Sequence, residues 1–207
     1  VDNLASIRLR ERAGSKGGGG VKTQVSESEI EKPAVNLTKE AIFFKVFMAA
    51  MSLDFRKGHQ RWTISELSRA SGITRSLIYY YFGNSKTDIL VESVKTIGEE
   101  FFGLTPQRLK LWDVGTIADS IDMSRKFIEA NPDLAAFYLL HRTKESPIGQ
   151  AFRDLEIRHQ QKLLKYFPES SEASVKLRAA LLFGLVFASN INSDAVQQAI
   201  RLAKQLH

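Results

Sequence analysis

From Thr38 onward, apolar residues recur three and four positions apart, as on a helix, rather than in the alternation of a strand. The segments between these runs are short and rich in Gly, Pro, Ser or Asn, so the pattern predicts an all-α chain. A first helix is expected over about 38–57, with Ile42, Val46, Ala49, Ala50 and Leu53 on one stripe and Gly58 as its stop. Phe43, Phe47, Met51 and Phe55 widen that stripe, which marks this helix as the spine of a small domain. A short helix over 64–71 follows, ended by Gly72, then another over about 74–82. After Gly83-Asn84-Ser85 a long helix over about 86–103 carries Ile89, Leu90, Val94, Ile97 and Phe101 inward. Beyond Pro106, helical spacing returns over about 114–130, 132–144, 148–167, 172–190 and 194–206, the signature of a helical bundle.

Residues 1–36 break the pattern. They mix serines, charges and the run Gly17 to Gly20 with few large apolar groups, so a flexible tail is expected there. Its basic residues Arg8, Arg10, Arg12, Lys16 and Lys22 are nearly cancelled by Glu27, Glu29 and Glu31. The expected organisation is a tail (1–36), a helix-turn-helix domain (37–85) and a regulatory and dimerisation bundle (86–207).

Composition narrows the classes. With 207 residues, 43% of them hydrophobic and 25% charged, the chain is long enough for one or two folded domains. No cysteine is present, which excludes disulfides, thiolate metal sites and cysteine nucleophiles. The longest apolar stretch, Ala179 to Ala188, falls short of the ~18 residues that a membrane span needs, and charges interrupt the N-terminal region, so a cytoplasmic protein is expected. The histidines at 59, 141, 159 and 207 are scattered in sequence, which predicts no metal, and His141 reads as a buried imidazole. No cofactor is expected. A nucleophile elbow, a metal-ligand pair on one helix and a phosphate loop are all missing, which argues against an enzyme.

The formal net charge of +6 is unevenly spread. Arg56, Lys57, Arg61, Arg69, Arg75 and Lys86 fall in one window against the single acid Glu66, which points to a polyanionic partner, double-stranded DNA. Inside that window Ile64, Leu67, Ile73 and Ile78 are spaced to form the apolar nucleus of a helix-turn-helix, with Gly72 at the tight turn and Ser68 small where the helices meet. The second helix then presents Thr74, Arg75, Ser76 and Tyr80 to a major groove, and a guanidinium can donate two hydrogen bonds to guanine. Thr63, Ser65, Tyr79, Tyr81 and Lys86 are expected on the phosphates. Three tyrosines in a row cannot all be buried, because consecutive helical residues point about 100° apart.

Thr63-Ile64-Ser65-Glu66-Leu67-Ser68, Gly72-Ile73-Thr74-Arg75-Ser76 and Ile78-Tyr79-Tyr80-Tyr81-Phe82 with Lys86 resemble the DNA-binding signature of TetR-family regulators, over about 38–94. Two positions depart from it. Lys86 stands four residues after Phe82 where the family has three, which brings in Asn84 or Ser85 as substitutes, and Ser68 and Ser71 replace the usual alanines. The resemblance implies a TetR-like homodimer, regulating transcription as a repressor released from a palindromic operator by a small-molecule effector. A DNA-organising or protein-interaction factor of the same fold is the alternative. Trp112, Phe127, Tyr138 and His141 are the expected pocket residues. Leu181, Gly184, Leu185 and Ala188, on a helix apolar around its whole circumference, are expected at the dimer interface.

Overall fold

The computed structural model describes residues 37–168, 171–188 and 190–205, all of them helix or short connection, with no strand among the described residues. The expected tail and His207 lie outside them. The helices are α1 (Lys39–Lys57), α2 (Ile64–Ser71), α3 (Arg75–Phe82), α4 (Lys86–Phe101), α5 (Pro106–Asp113), α6 (Ile117–Ala130), α7 (Pro132–His141), α8 (Pro147–Tyr166), α9 (Glu172–Phe187) and α10 (Ser193–Gln205).

Polar residues at the predicted boundaries start the helices. Thr38, Thr63, Thr74, Ser85, Ser146 and Ser171 each accept a hydrogen bond from a backbone N–H of the first turn, satisfying a donor that has no intrahelical partner. Helix α5 is a correction. Pro106 reads as a break, yet it opens a helix, because proline's missing N–H is no loss in a first turn and its fixed φ suits one. Gly115, at φ 84°, separates α5 from α6, which therefore starts at Ile117 rather than near 114.

The core forms two apolar clusters. The larger is continuous from α1 (Val46, Phe47, Ala50, Met51) through α2 and α3 (Leu67, Ile78) and α4 (Leu90, Val94, Phe101) into α7 and α8 (Phe137, Phe152, Leu155). The smaller joins Trp112, Ile121, Leu163, Leu182 and Leu185 with Val196 and Ile200 of α10. Helix α4 thus shares one apolar core with the short helices before it and the bundle after it.

One buried group has no precedent in the apolar pattern. Asp54, on α1, is fully buried, its Oδ1 accepting from the Gln60 N–H (2.7 Å) and Trp62 Nε1 (2.9 Å). A buried carboxylate needs such donors, and these fold the α1–α2 connection back over the end of α1.

Candidate nucleic-acid interface

The turn between α2 and α3 is built from side chains as well as backbone. Gly72 is left-handed (φ 68°, ψ 16°), a conformation strained for any residue with a Cβ. Ser68 Oγ donates to the Ile73 carbonyl (2.7 Å), Ser71 Oγ donates to the Leu67 carbonyl (2.7 Å), and the Ile73 N–H donates to Ser71 Oγ (3.2 Å). The two serines that replace alanines therefore lock the turn, a role that apolar spacing cannot reveal. Ile64, Leu67, Ile73 and Ile78 are all buried beneath it.

This packing decides what α3 shows outward. With Ile78 fully buried, Thr74, Arg75, Ser76, Leu77, Tyr79 and Tyr80 are exposed, Tyr80 at 78%. All four expected base readers are on this face. Among the described residues, the Arg75 guanidinium makes only a long contact of 3.5 Å to Ser65 Oγ, which leaves its donors open to a ligand. Thr74 combines exposure with capping, its Oγ1 accepting from the Leu77 N–H (3.4 Å).

The expected phosphate groups divide. Tyr79 is exposed and Ser65 is half-buried beside Arg75. Tyr81 is half-buried, its ring edge-on to Phe43 at 5.4 Å between centroids. The Thr63 hydroxyl is engaged in a reciprocal cap, accepting from the Glu66 N–H (3.2 Å) while Glu66 Oε2 accepts from the Thr63 N–H (2.8 Å). The Lys57 ammonium, followed by the Thr63 N–H, holds the Glu66 carboxyl down at about 2. Lys86 Nζ donates to the Gln60 carbonyl (2.8 Å) and lies 5.5 Å from the Trp62 ring centroid. Thr63 and Lys86 therefore have partners within the chain that compete with phosphate. With the extra residue before Lys86, the exposed Asn84 is the freer group at that helix start, because Ser85 Oγ caps α4 by accepting from the Asp88 N–H (3.2 Å).

Electrostatics favour the same face. Arg56 pairs with Asp133 (2.6 Å) and Lys57 with Glu66, whereas Arg61, Arg69 and Arg75 are exposed and have no ion-pair partner among the described residues. Three unneutralised guanidiniums around a helix-turn-helix form a surface suited to a polyanion.

The four expected pocket residues do not line one cavity. Phe127 packs toward Phe44, Trp112 belongs to the smaller core cluster, and His141 sits on Asp54. Tyr138 alone lines a groove of about 410 Å³ between α7, α8 and α9, with Phe102, Arg142, Glu156, Phe183 and Phe187. Trp112 lines a separate small cavity of about 20 Å³ with Phe102, Ser120, His159 and Lys162. Of the expected dimer residues, Leu185 is buried and Leu181 is half-buried, both against the smaller cluster; Ala188 is half-buried and Gly184 is exposed. Outward apolar residues on α8 and α9 include Ile157, Leu164 and Leu177 (51, 45 and 54% exposed), and Leu139 of α7 and Leu202 of α10 are exposed as well.

Residues 47–92 match the family described as bacterial regulatory proteins, tetR family. Among solved structures, a mutant HlyIIR is 16% identical over 82% of this chain and 99% of that chain, with a TM-score of 0.53, a likeness of fold. NalD, the secondary repressor of the MexAB-OprM multidrug efflux pump in Pseudomonas aeruginosa, is 14% identical over 79% of this chain and 95% of its own, at a TM-score of 0.45, too low to add to that likeness. No curated protein matches.

Proposed function

From the match of residues 47–92 to the tetR family of bacterial regulatory proteins, we propose that the chain is a homodimeric transcription regulator that reads a palindromic operator through α3. The observation that carries this reading is the exposed Thr74, Arg75, Ser76 and Tyr80 face, held outward by the serine-locked turn at Gly72. Arg75 reads guanine, the other three make less selective contacts, and Tyr79, Ser65 and the basic surroundings set register on phosphates. In this reading 37–85 binds DNA in the cytoplasm and 86–207 senses and dimerises, with binding and release rather than catalysis as its task.

Two features of the bundle support the rest. Leu177 lies on an exposed strip of α9 with Ala173, Ala180 and Gly184, and small residues let a two-fold mate approach closely. The groove around Tyr138 suits a partly aromatic effector with polar groups, since Phe102, Tyr138, Phe183 and Phe187 line it together with Arg142, Glu156, Gln160 and Lys176. Phe102, which directly follows α4, stacks on Phe183 at 4.7 Å between centroids, so a ligand that parts these rings displaces the end of α4. At its other end Lys86 holds the α1–α2 connection. A repressor would lose its operator when this tilt moves the two reading helices off their spacing of about 34 Å.

Selection of bound duplexes from a random pool, followed by competition against bulk DNA, tests the reading. A regulator retains short palindromes about a thousandfold more tightly than bulk sequence. Uniform affinity for all duplexes would instead mark a DNA-organising protein, and no affinity at low salt would end the reading.

A further inference from the structure

Two histidines that are 82 positions apart in the sequence meet on one carboxylate. Asp54 Oδ2 lies 3.1 Å from His59 Nδ1 and 3.3 Å from His141 Nε2, and one ligand atom from each of the three residues falls within 4.8 Å of the others. We propose that Asp54, His59 and His141 form a binding site for a divalent transition-metal ion of the zinc class, fastening the end of α1 and the α1–α2 connection to α7. The scattered sequence positions that predict no metal conceal this convergence.

Four observations carry the assignment. Ligands bound at ~2.0–2.2 Å in a tetrahedron stand about 3.3–3.6 Å apart, close to both separations from Oδ2. His141 is 1% exposed, and its Nε2 has no hydrogen-bond partner of adequate geometry despite facing the carboxylate. An orphaned buried ring nitrogen aimed at an anionic oxygen is a ligand's arrangement. The second carboxylate oxygen, Oδ1, is held by the Gln60 N–H and Trp62 Nε1, the outer support that orients a ligating carboxylate. His59 is 44% exposed in its side chain, which provides a route from solvent and room for a water as fourth ligand.

A set of two imidazoles and one carboxylate, with no thiolate, suits zinc and its borderline neighbours more than calcium or magnesium, which take oxygen.

The location gives such an ion a mechanical role. His59 is flanked by two residues at positive φ, Gly58 (91°) and Gln60 (57°). Gln60 continues the connection to α4, its Nε2 donating to Thr87 Oγ1 (2.7 Å) and its carbonyl accepting from Lys86. An ion on Asp54, His59 and His141 would pin this bend to α7 and stiffen the approach to α2. Any consequence for DNA affinity rests on the proposed function, but the site itself does not.

The full chain, stripped with chelator and dialysed, is titrated with Zn²⁺ by calorimetry and with Co²⁺ by absorption, beside His59→Ala and His141→Gln. The expected result is one ion per chain, a Co²⁺ spectrum of tetrahedral or five-coordinate nitrogen and oxygen ligation, and affinity at least about tenfold weaker in each variant. His59→Ala alters a half-exposed residue, so it keeps the test valid should His141→Gln not fold. No binding to the parent chain would mean a hydrogen-bonded His-Asp-His triad only, and undiminished binding in His59→Ala would place the ion elsewhere; either overturns the site. The readouts use no DNA, so failure here is distinguishable from failure of the DNA-binding reading.

Discussion

Lys162, on α8, is nearly buried, with Nζ donating to the Gly103 carbonyl (3.2 Å) and lying 3.9 Å from the Trp112 ring centroid. Arg108 is fully buried close by, paired with Glu100 (2.8 Å) and hydrogen-bonded to Ser120 and Ser124, so a second cation stands near Lys162. Burial, and then the charge of Arg108, push the Lys162 ammonium from 10.5 down to about 7. Because the folded value lies below the unfolded one, the unfolded chain holds this proton through the interval from about 7 to 10.5 while the folded chain releases it. Stability contributed here therefore rises with pH across that interval and is lowest below it. At ~1.4 kcal/mol per pH unit the full interval corresponds to about 5 kcal/mol, an upper bound. The Trp112 ring and the Gly103 carbonyl both favour the ammonium and reduce it by roughly 1–2 kcal/mol. Lys162→Met keeps the apolar stem and removes the proton. Urea unfolding at about pH 7.5 and about pH 9.5 is expected to show the parent gaining ~2 kcal/mol relative to the variant, with the variant the more stable at the lower pH. Parallel pH profiles for the two proteins would refute the argument, because they would mean that Lys162 carries the same proton folded and unfolded.

Arg75→Ala is expected to relax preference at one operator position by about 1–3 kcal/mol, read by competition between operator and single-base variants, whereas Tyr79→Phe weakens all sequences alike. Equal loss of preference in both would contradict the division into readout and positioning. Leu177→Lys places a charge on the exposed apolar strip of α9 and is expected to shift sedimentation from dimer to monomer while leaving the helical circular dichroism unchanged. A dimer of undiminished stability would place the interface on another face.

Much of this protein is legible in one dimension. The helix starts at Ile64, Lys86 and Glu172, the nucleus of Ile64, Leu67, Ile73 and Ile78, and the outward face of α3 follow from periodicity and capping, because neighbours within about four residues decide them. The match of 47–92 to a family extends the same local legibility.

Distant pairing was decided by the tertiary structure alone. Asp54 reads as one polar residue on an apolar helix, and only the packing of α7 on α1 brings His141 to it. Thr63 and Lys86 look equally available for phosphate until Glu66 and the Gln60 carbonyl are seen to take them. Likewise α9 is apolar on every side from Ala179 onward, so which of its residues face solvent is set by where α6, α8 and α10 stand. Helical propensity and capping act over a turn, whereas burial, ion pairing and desolvation depend on what the rest of the chain places within a few ångströms, and no local pattern encodes that.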